Sequence, residues 1–178
     1  MVRVRLERPS ARRERDFIEA ALRSWALHRG LVVAAATAAD YREYLDRTRR
    51  PDSASFLIVT EESDALAGVV EINDMVPASQ GCGTLAYYAF TPHAGSGLMR
   101  EGVALAIDVA FGDLNLYRLD ANVQPTNRRS IALLAGLGFA RDGTQRRYKI
   151  GTRWCNHERW SLRAGDPLAL QSATGARA

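Results

Sequence analysis

Residues 90–111 read FTPHAGSGLMREGVALAIDVAF, and this stretch decides the fold. A strand that ends at Phe90 leads through a short loop with two glycines into an amphipathic helix. The glycines let main-chain N–H groups approach an anion. The start of the helix adds unpaired N–H donors and the positive end of the helix dipole. The stretch therefore predicts a strand–loop–helix unit that binds a phosphate or pyrophosphate.

The loop differs from two common nucleotide-binding motifs. No Gly-Lys-Ser or Gly-Lys-Thr follows it, as in a Walker loop, and it lacks the third glycine of the dinucleotide fingerprint. Taken alone, a Gly-x-Gly before a helix is also typical of an ordinary turn. The nature of the anion must therefore be inferred from residues further along the chain.

Composition and charge exclude several classes of protein. Of the 178 residues 47% are apolar and 25% charged, and no apolar run approaches the ~20 residues that a membrane span needs. The Arg-rich N-terminus has no apolar core, so it is not a secretory signal and we expect a cytoplasmic protein. The basic residues are scattered, which argues against nucleic-acid binding. Cys82 and Cys155 are expected to be free thiols, and no metal site is expected.

Around this unit the sequence predicts one α+β domain over residues 1–163. Meander spacing of the strands is typical of a mixed, mostly antiparallel sheet, with helices on both of its faces. Residues 164–178, rich in Ala, Gly, Ser and Thr, are expected to be a flexible tail. The expected elements are strands at 2–6, 55–60, 68–72, 84–90 and 116–123, helices capped by Ser10 and Thr37, a helix from Leu98, a helix over 127–137, and a closing hairpin of 148–150 and 159–162 around Gly151.

The order of motifs along the chain resembles the GNAT superfamily of acetyltransferases, and within it the ribosomal-protein N-terminal acetyltransferases of the RimJ and RimL type. The resemblance covers about residues 57–162. It rests mainly on YRLDANV at 117–123, NRRS at 127–130 and GF at 138–139. It implies the GNAT fold, with the sheet split at Phe90, and the transfer of acetyl from acetyl-coenzyme A (acetyl-CoA) to a primary amine.

The resemblance also implies roles for particular residues. The main chain of Ala89, Phe90 and Thr91 would pair with the pantetheine amides of the cofactor. Asn127 would hydrogen-bond the cofactor arm, and Ser130 would lie near the acetyl-bearing sulfur as the catalytic acid. The pyrophosphate would be held by main-chain N–H groups of Ala94, Gly95, Ser96, Gly97, Leu98 and Met99.

Candidates on the acceptor side follow from the strands and the first helix. Glu71, on a central strand, is the candidate general base, with a solvent-facing position as the alternative. Neighbours on a strand point to opposite faces, so one of Tyr87 and Tyr88 faces the cleft while the other packs in the core. We expect Tyr88 to bind substrate. Trp25 either lines the acceptor pocket or lies in the core, and His28 is expected to be exposed.

Three positions depart from the superfamily's pattern. Pro92 and Ala94 stand where its members usually have Gln or Arg, so the loop carries no permanent charge of its own. Leu134 replaces a tyrosine that often serves as general acid, which leaves Ser130 or a water to protonate the sulfur.

Three functions remain open: acetylation of a protein or peptide N-terminal amine, acetylation of a small amine (a metabolite, polyamine or antibiotic), or a weakly active CoA-binding regulatory module. A monomer and a homodimer are both compatible with the sequence.

Overall fold

A computed structural model describes residues 2–76 and 81–166, in which seven strands form one sheet. The sheet order is β1-β2-β3-β4-β5-β7-β6, and only β4 and β5 are parallel, which confirms the mixed, mostly antiparallel prediction. The elements are β1 Val4–Glu7, α1 Glu14–Arg23, α2 Trp25–His28, α3 Ala38–Thr48, β2 Ala54–Thr60, β3 Leu66–Val76, β4 Cys82–Ala89, α4 Leu98–Phe111, β5 Arg118–Val123, α5 Arg128–Gly136, β6 Ala140–Ile150 and β7 Arg153–Arg163.

The sheet divides between its two parallel strands. β4 and β5 pair from Cys82 and Arg118 as far as Leu85 and Ala121. Beyond that point β4 stays beside β3 up to Ala89, while β5 stays beside β7. A gap therefore opens between residues 86–89 of β4 and the end of β5.

Two apolar clusters hold helices against opposite faces of the sheet. α4 and α5 cover one face with a core that includes Val70, Ile72 and Ile107. α1 and α3 cover the other face, where Phe17 and Tyr41 pack on Leu57 and its neighbours. Helices thus lie on both faces, as the sequence predicts.

The predicted helix caps have different outcomes. Thr37 caps α3 in a capping box with Asp40, as predicted, whereas Asn127, predicted only as the first residue of a helix, caps α5 by accepting from Ser130 N–H. Ser10 was expected to cap the first helix, but its side chain makes no capping bond, and its carbonyl instead accepts from the Tyr41 hydroxyl at 2.9 Å. Ser10 does precede the first helical turn, Ala11–Arg13, in an extended conformation, but the prediction that its side chain caps that turn is wrong.

The C-terminal hairpin is longer than predicted. It turns around Gly151 as expected and its strands end within one residue of the prediction, but β6 begins at Ala140 rather than 148 and β7 at Arg153 rather than 159. Charged residues on both faces of β6 hide the alternation by which a strand is recognised.

Of the predicted tail, residues 167–178 lie outside the described residues, while Ala164 N–H donates to the Tyr117 carbonyl at 2.8 Å. No helix in the described part of the chain is long and apolar enough to span a membrane.

Candidate active site

The open edge of β4 presents main-chain groups to the gap. Phe90 N–H donates to the Ala67 carbonyl on β3 at 2.8 Å. Main-chain groups alternate in direction along an antiparallel strand, so those of Tyr87 and Ala89 point away from β3 and into the gap. On β5, one residue past the last parallel pair, the amide oxygen of Asn122 is buried without a hydrogen-bond partner in the described chain, and its side chain lies on the face of the sheet opposite Ala121 and Val123. Because buried polar atoms are nearly always paired, this edge fits a ligand that carries amide groups.

The loop between β4 and α4 presents its N–H groups at the same end of the sheet. Gly95 and Gly97 have φ of 85° and 87°, a left-handed conformation that glycine adopts without steric cost. Ser96 N–H donates within the loop, to the carbonyl of His93. The N–H groups of Leu98 and Met99, in the first helical turn, have no acceptor inside the helix. The loop and the helix start therefore fit an anion, although Ser96 N–H, one of the groups predicted to bind it, is bonded within the loop.

A cation that the sequence did not reveal lies beside this loop. Arg3 Nη2 donates to the Ser96 carbonyl at 3.3 Å, and Arg3 Nε donates to the Glu101 carboxylate at 2.7 Å. The same guanidinium would lie 3.1 Å from a Cβ placed on Gly97. Arg3 thus supplies the charge that Pro92 and Ala94 lack, although half of its side chain is exposed and Glu101 neutralises part of its charge.

Two side chains from the first helices fix the end of β4. His28 Nε2–H donates to the Ala89 carbonyl at 2.8 Å, and Thr91 N–H donates to Ser24 Oγ at 2.9 Å. His28 is 6% exposed, so the expectation of an exposed histidine is wrong. Burial lowers the pKa of His28, which keeps the ring neutral. Of the three residues predicted to pair with pantetheine, Phe90 uses both main-chain groups within the protein, while Ala89 retains its N–H and Thr91 its carbonyl.

The start of α5 brings Asn127 and Ser130 to the same gap. Asn127 Oδ1 accepts from Ser130 N–H at 3.2 Å, and its Nδ2 has no acceptor among the described residues. Ser130 Oγ lies 2.6 Å from the Tyr87 hydroxyl. Burial raises the pKa of Tyr87 well above its ordinary value. Tyr87 therefore faces α5, and its contact with Ser130 was not foreseen because the two residues lie far apart in sequence.

The opposite face of the sheet carries a polar cavity of about 280 Å³ around Glu71. Glu71 pairs across the strands with Ala86, the first β4 residue beside the gap. Burial raises the pKa of Glu71, and this is opposed by the charge of Arg47 and by hydrogen bonds from Asn73 and Ser55. A carboxylate with a raised pKa, close to a cleft, has the properties of a general base.

Tyr88 and Trp25 have different surroundings on that face. Tyr88 packs edge-on against His28 and Phe90, at centroid distances of 5.3 and 5.7 Å, and burial raises its pKa. Trp25 is 65% exposed on α2, so the core alternative for it is wrong. Its ring lies against the guanidinium of Arg29, with 5.6 Å between the ring centre and the Arg29 Cζ. Among the described residues, no three His, Cys, Asp or Glu side chains are placed to hold a metal ion.

Comparison with known proteins places this geometry in a family. Residues 3–140 match the family described as the acetyltransferase (GNAT) domain. The chain is 32% identical over 117 residues to the probable N-acetyltransferase YjcK of Bacillus subtilis (strain 168), covering 65% of each chain. It is 30% identical over 112 residues to the ribosomal protein uS5-alanine N-acetyltransferase of Escherichia coli (strain K12), covering 62% of this chain and 58% of that one. The chain thus matches somewhat under two thirds of the length of these curated relatives.

A solved structure shares the fold. Mycobacterium smegmatis RimJ in complex with CoA-disulfide superposes with a TM-score of 0.84 at 18% identity, covering 97% of this chain and 88% of that one. At this identity the likeness supports the fold alone. The family match, the split sheet and the N–H-rich loop agree, and the chain belongs to the GNAT acetyltransferase family.

Proposed function

We propose that this protein transfers acetyl from acetyl-CoA to the N-terminal α-amine of a protein or peptide. The observation that carries the proposal is the parallel pairing of β4 and β5 that stops at Leu85 and Ala121, beside a loop with two glycines of positive φ that leads into a helix start. An acyl-CoA needs an edge that pairs with its amides and an anion site for its pyrophosphate. Both occur at one end of this sheet.

The cofactor-binding roles are assigned residue by residue. Main-chain groups of Ala89 and Thr91 pair with the pantetheine arm, with Phe90 holding the strand end in place through Ala67. Asn127 donates to the arm from its free Nδ2. The pyrophosphate is bound by the N–H groups of Ala94, Gly95, Gly97, Leu98 and Met99, while Ser96 N–H holds the loop through the His93 carbonyl.

The chemistry needs a neutral amine, a stabilised oxyanion and a protonated leaving sulfur. Glu71 takes the proton from the acceptor amine, directly or through water in its cavity. Main-chain N–H groups on the open edge of β4 stabilise the charge that develops on the carbonyl oxygen. Ser130 donates from its hydroxyl to the sulfur as the carbon–sulfur bond breaks, while Tyr88 and Trp25 contact the acceptor.

A small amine is the second candidate acceptor, because carboxylates surround the cavity. Asp52 and Asp74 line it together with Glu71, and three carboxylates favour a polyamine. Arg47 and Arg50 also line the cavity, which offsets the negative charge and favours a peptide with one ammonium group. The E. coli relative's activity on a ribosomal-protein alanine points the same way.

Turnover with matched acceptors tests the proposal. The full chain and acetyl-CoA would be incubated with a peptide that has a free N-terminus, with the same peptide blocked at its N-terminus, and with spermidine. We expect CoA release with the free peptide alone, and an added acetyl mass on its first residue. Transfer to spermidine alone would establish the small-amine function instead. Thermal stabilisation by acetyl-CoA without transfer to any amine would indicate a CoA-binding module. If acetyl-CoA does not stabilise the protein, both acetyltransferase functions and the binding module are excluded.

Ser130→Ala tests the assignment of Ser130 as the hydrogen-bond donor to the leaving sulfur. This variant should slow turnover about tenfold while changing the affinity for acetyl-CoA much less, because the hydroxyl acts mainly as the sulfur leaves. Stopped-flow turnover and calorimetric binding measure the two effects. An unchanged rate would remove Ser130 from the mechanism.

A further inference from the structure

The hydroxyl of Tyr87 has a partner that the proposed chemistry does not yet use. Its oxygen lies 2.6 Å from Ser130 Oγ and 3.3 Å from the Ser130 carbonyl oxygen. The ring packs against the core between the sheet, α4 and α5. Tyr87 lies on the open edge of β4, so the pair forms the wall of the gap.

We propose that Tyr87 is a positioning residue. Its hydroxyl donates a hydrogen bond to Ser130 Oγ and thereby directs the Ser130 hydroxyl at the leaving sulfur of acetyl-CoA. This inference rests on the proposed function. A serine hydroxyl rotates freely, and it can donate to only one acceptor at a time. When Tyr87 donates to Ser130 Oγ, the Ser130 hydrogen is turned away from Tyr87 and becomes available to the gap.

The direction of the Tyr87–Ser130 hydrogen bond affects the strength of the hydrogen bond from the Ser130 hydroxyl to the sulfur. A hydroxyl that already accepts a hydrogen bond is a stronger donor, because neighbouring hydrogen bonds polarise one another. The N-terminal end of α5 lies at the same place, and its dipole favours negative charge on the sulfur. Tyr87, Ser130 and the helix start thus act on the charge that appears as the thioester breaks.

The protons and electrons balance without deprotonating either hydroxyl. The amine nitrogen forms the new bond to the acetyl carbon and loses one proton to the base. The carbon–sulfur bond breaks with its electron pair on sulfur, and the thiolate takes its proton from solvent as CoA leaves. Because burial raises the pKa of Tyr87, the phenol keeps its proton throughout. Tyr87 then takes over part of the role of the tyrosine that Leu134 replaces in this chain.

Binding of CoA at two pH values tests the inference without turnover. A cysteine thiol has an ordinary pKa of about 8.5, and the CoA thiol, a simple alkyl thiol, titrates somewhat above that, so a site that stabilises thiolate binds CoA more tightly as pH rises through this range. S-methyl-CoA has no thiol and corrects for every other titrating group. We expect the wild-type affinity for CoA, relative to S-methyl-CoA, to rise on the order of tenfold between pH 6.5 and 9.5. Tyr87→Phe should lose roughly fivefold of that gain, which corresponds to one hydrogen bond.

A matched variant and a double variant separate positioning from stability. Tyr41→Phe removes another buried phenol, which donates to the Ser10 carbonyl away from the gap, and it should keep the full gain. In Ser130→Ala, adding Tyr87→Phe should change nothing further, because Tyr87 acts only through Ser130. kcat should fall roughly fivefold in Tyr87→Phe with an unchanged KM for acetyl-CoA. If Tyr87→Phe does not fold, 3,5-difluorotyrosine at position 87 should lower the pH at which kcat declines, since its phenol deprotonates earlier.

The outcomes distinguish this inference from the proposed function. A full pH-dependent gain in Tyr87→Phe, or additive effects in the double variant, overturns the positioning role while acetyl transfer stands. If 3,5-difluorotyrosine at position 87 leaves the pH at which kcat declines unchanged, the positioning role is also overturned. A wild-type protein that binds neither CoA nor S-methyl-CoA overturns the proposed function, and the inference with it.

Discussion

The two halves of the cleft are built from different parts of the chain. The gap half, residues 86–99, offers mostly main-chain N–H and carbonyl groups, shaped by two glycines with positive φ. The cavity half, around Glu71, offers side chains from α3, β2 and β3. A main-chain site depends on backbone conformation and tolerates many side chains. A side-chain site depends on the identity of each residue, so we expect cofactor binding to be robust and acceptor choice to be easily changed.

The largest expected effect is in the cavity half. Glu71→Gln should lower kcat/KM for the acceptor on the order of 10²-fold, because the variant has no base, and should leave the Kd of acetyl-CoA unchanged. Glu62→Gln, at an exposed turn, is the control and should match wild type. A weaker affinity for acetyl-CoA in Glu71→Gln would contradict the separation of the two halves.

The same substitution should make the protein more stable at neutral pH. Burial raises the pKa of Glu71 above 4.5, so the folded state holds this proton more tightly than the unfolded state does. The wild type therefore loses stability as pH rises from about 4.5 through the raised pKa, and Glu71→Gln does not. Urea unfolding at pH 4.5 and pH 8 should show that the free energy of unfolding of the variant, relative to that of the wild type, is higher at pH 8 than at pH 4.5. An equal difference at both values would show that Glu71 titrates normally.

In the gap half, the sharpest change is to the backbone. Gly97→Ala places a Cβ at φ of 87°, which costs about 1–2 kcal/mol and disturbs the N–H groups that face the anion. We expect the Kd of acetyl-CoA to rise roughly tenfold with little change in kcat, measured by calorimetry and saturating turnover. Gly143→Ala introduces similar strain at φ of 80° in the distant hairpin. It should leave Kd unchanged, and equal effects from both glycines would mean that strain alone is responsible.

A smaller effect is expected at the start of α5. Asn127→Ala should lower the free energy of unfolding by about 1 kcal/mol through the lost cap and should also weaken acetyl-CoA binding. Asn127→Asp keeps the capping oxygen and removes the Nδ2 donor, so it should weaken binding while keeping stability. Thr37→Ala removes the α3 cap and should do the reverse. Full acetyl-CoA affinity in Asn127→Asp would exclude Asn127 from the cofactor site.

The smallest effect on the fold is expected at Trp25. Its side chain is exposed, so Trp25→Ala should change the free energy of unfolding by no more than about 0.5 kcal/mol. The acceptor KM should rise a few-fold if the ring contacts substrate, as steady-state kinetics with varied peptide would show. Leu22→Ala removes another exposed apolar side chain from the neighbouring helix and is the control. An unchanged KM would remove Trp25 from the acceptor site.

The sequence predicts the gap half better than the cavity half, for a physical reason. Glycines and a helix start report backbone conformation locally, so the loop at Gly95 and Gly97 was foreseen. Contacts across the fold leave no such trace: Arg3 binds Glu101 across 98 positions, and Tyr87 meets Ser130 across 43. The prediction for His28 is wrong because nothing in the sequence of its short helix, WALH, indicates that the ring bonds to the end of a distant strand.

Hydrogen exchange with and without acetyl-CoA tests the central claim most directly, since that claim concerns backbone N–H groups. We predict that acetyl-CoA slows exchange of amides at 87, 89, 94, 95 and 97–99, while amides of α3 and of β3 around Glu71 exchange at unchanged rates. Desulfo-CoA should give the same protection because it keeps the pyrophosphate and the amides. Protection confined to the Glu71 cavity, or none in the β4–α4 loop, would contradict the account.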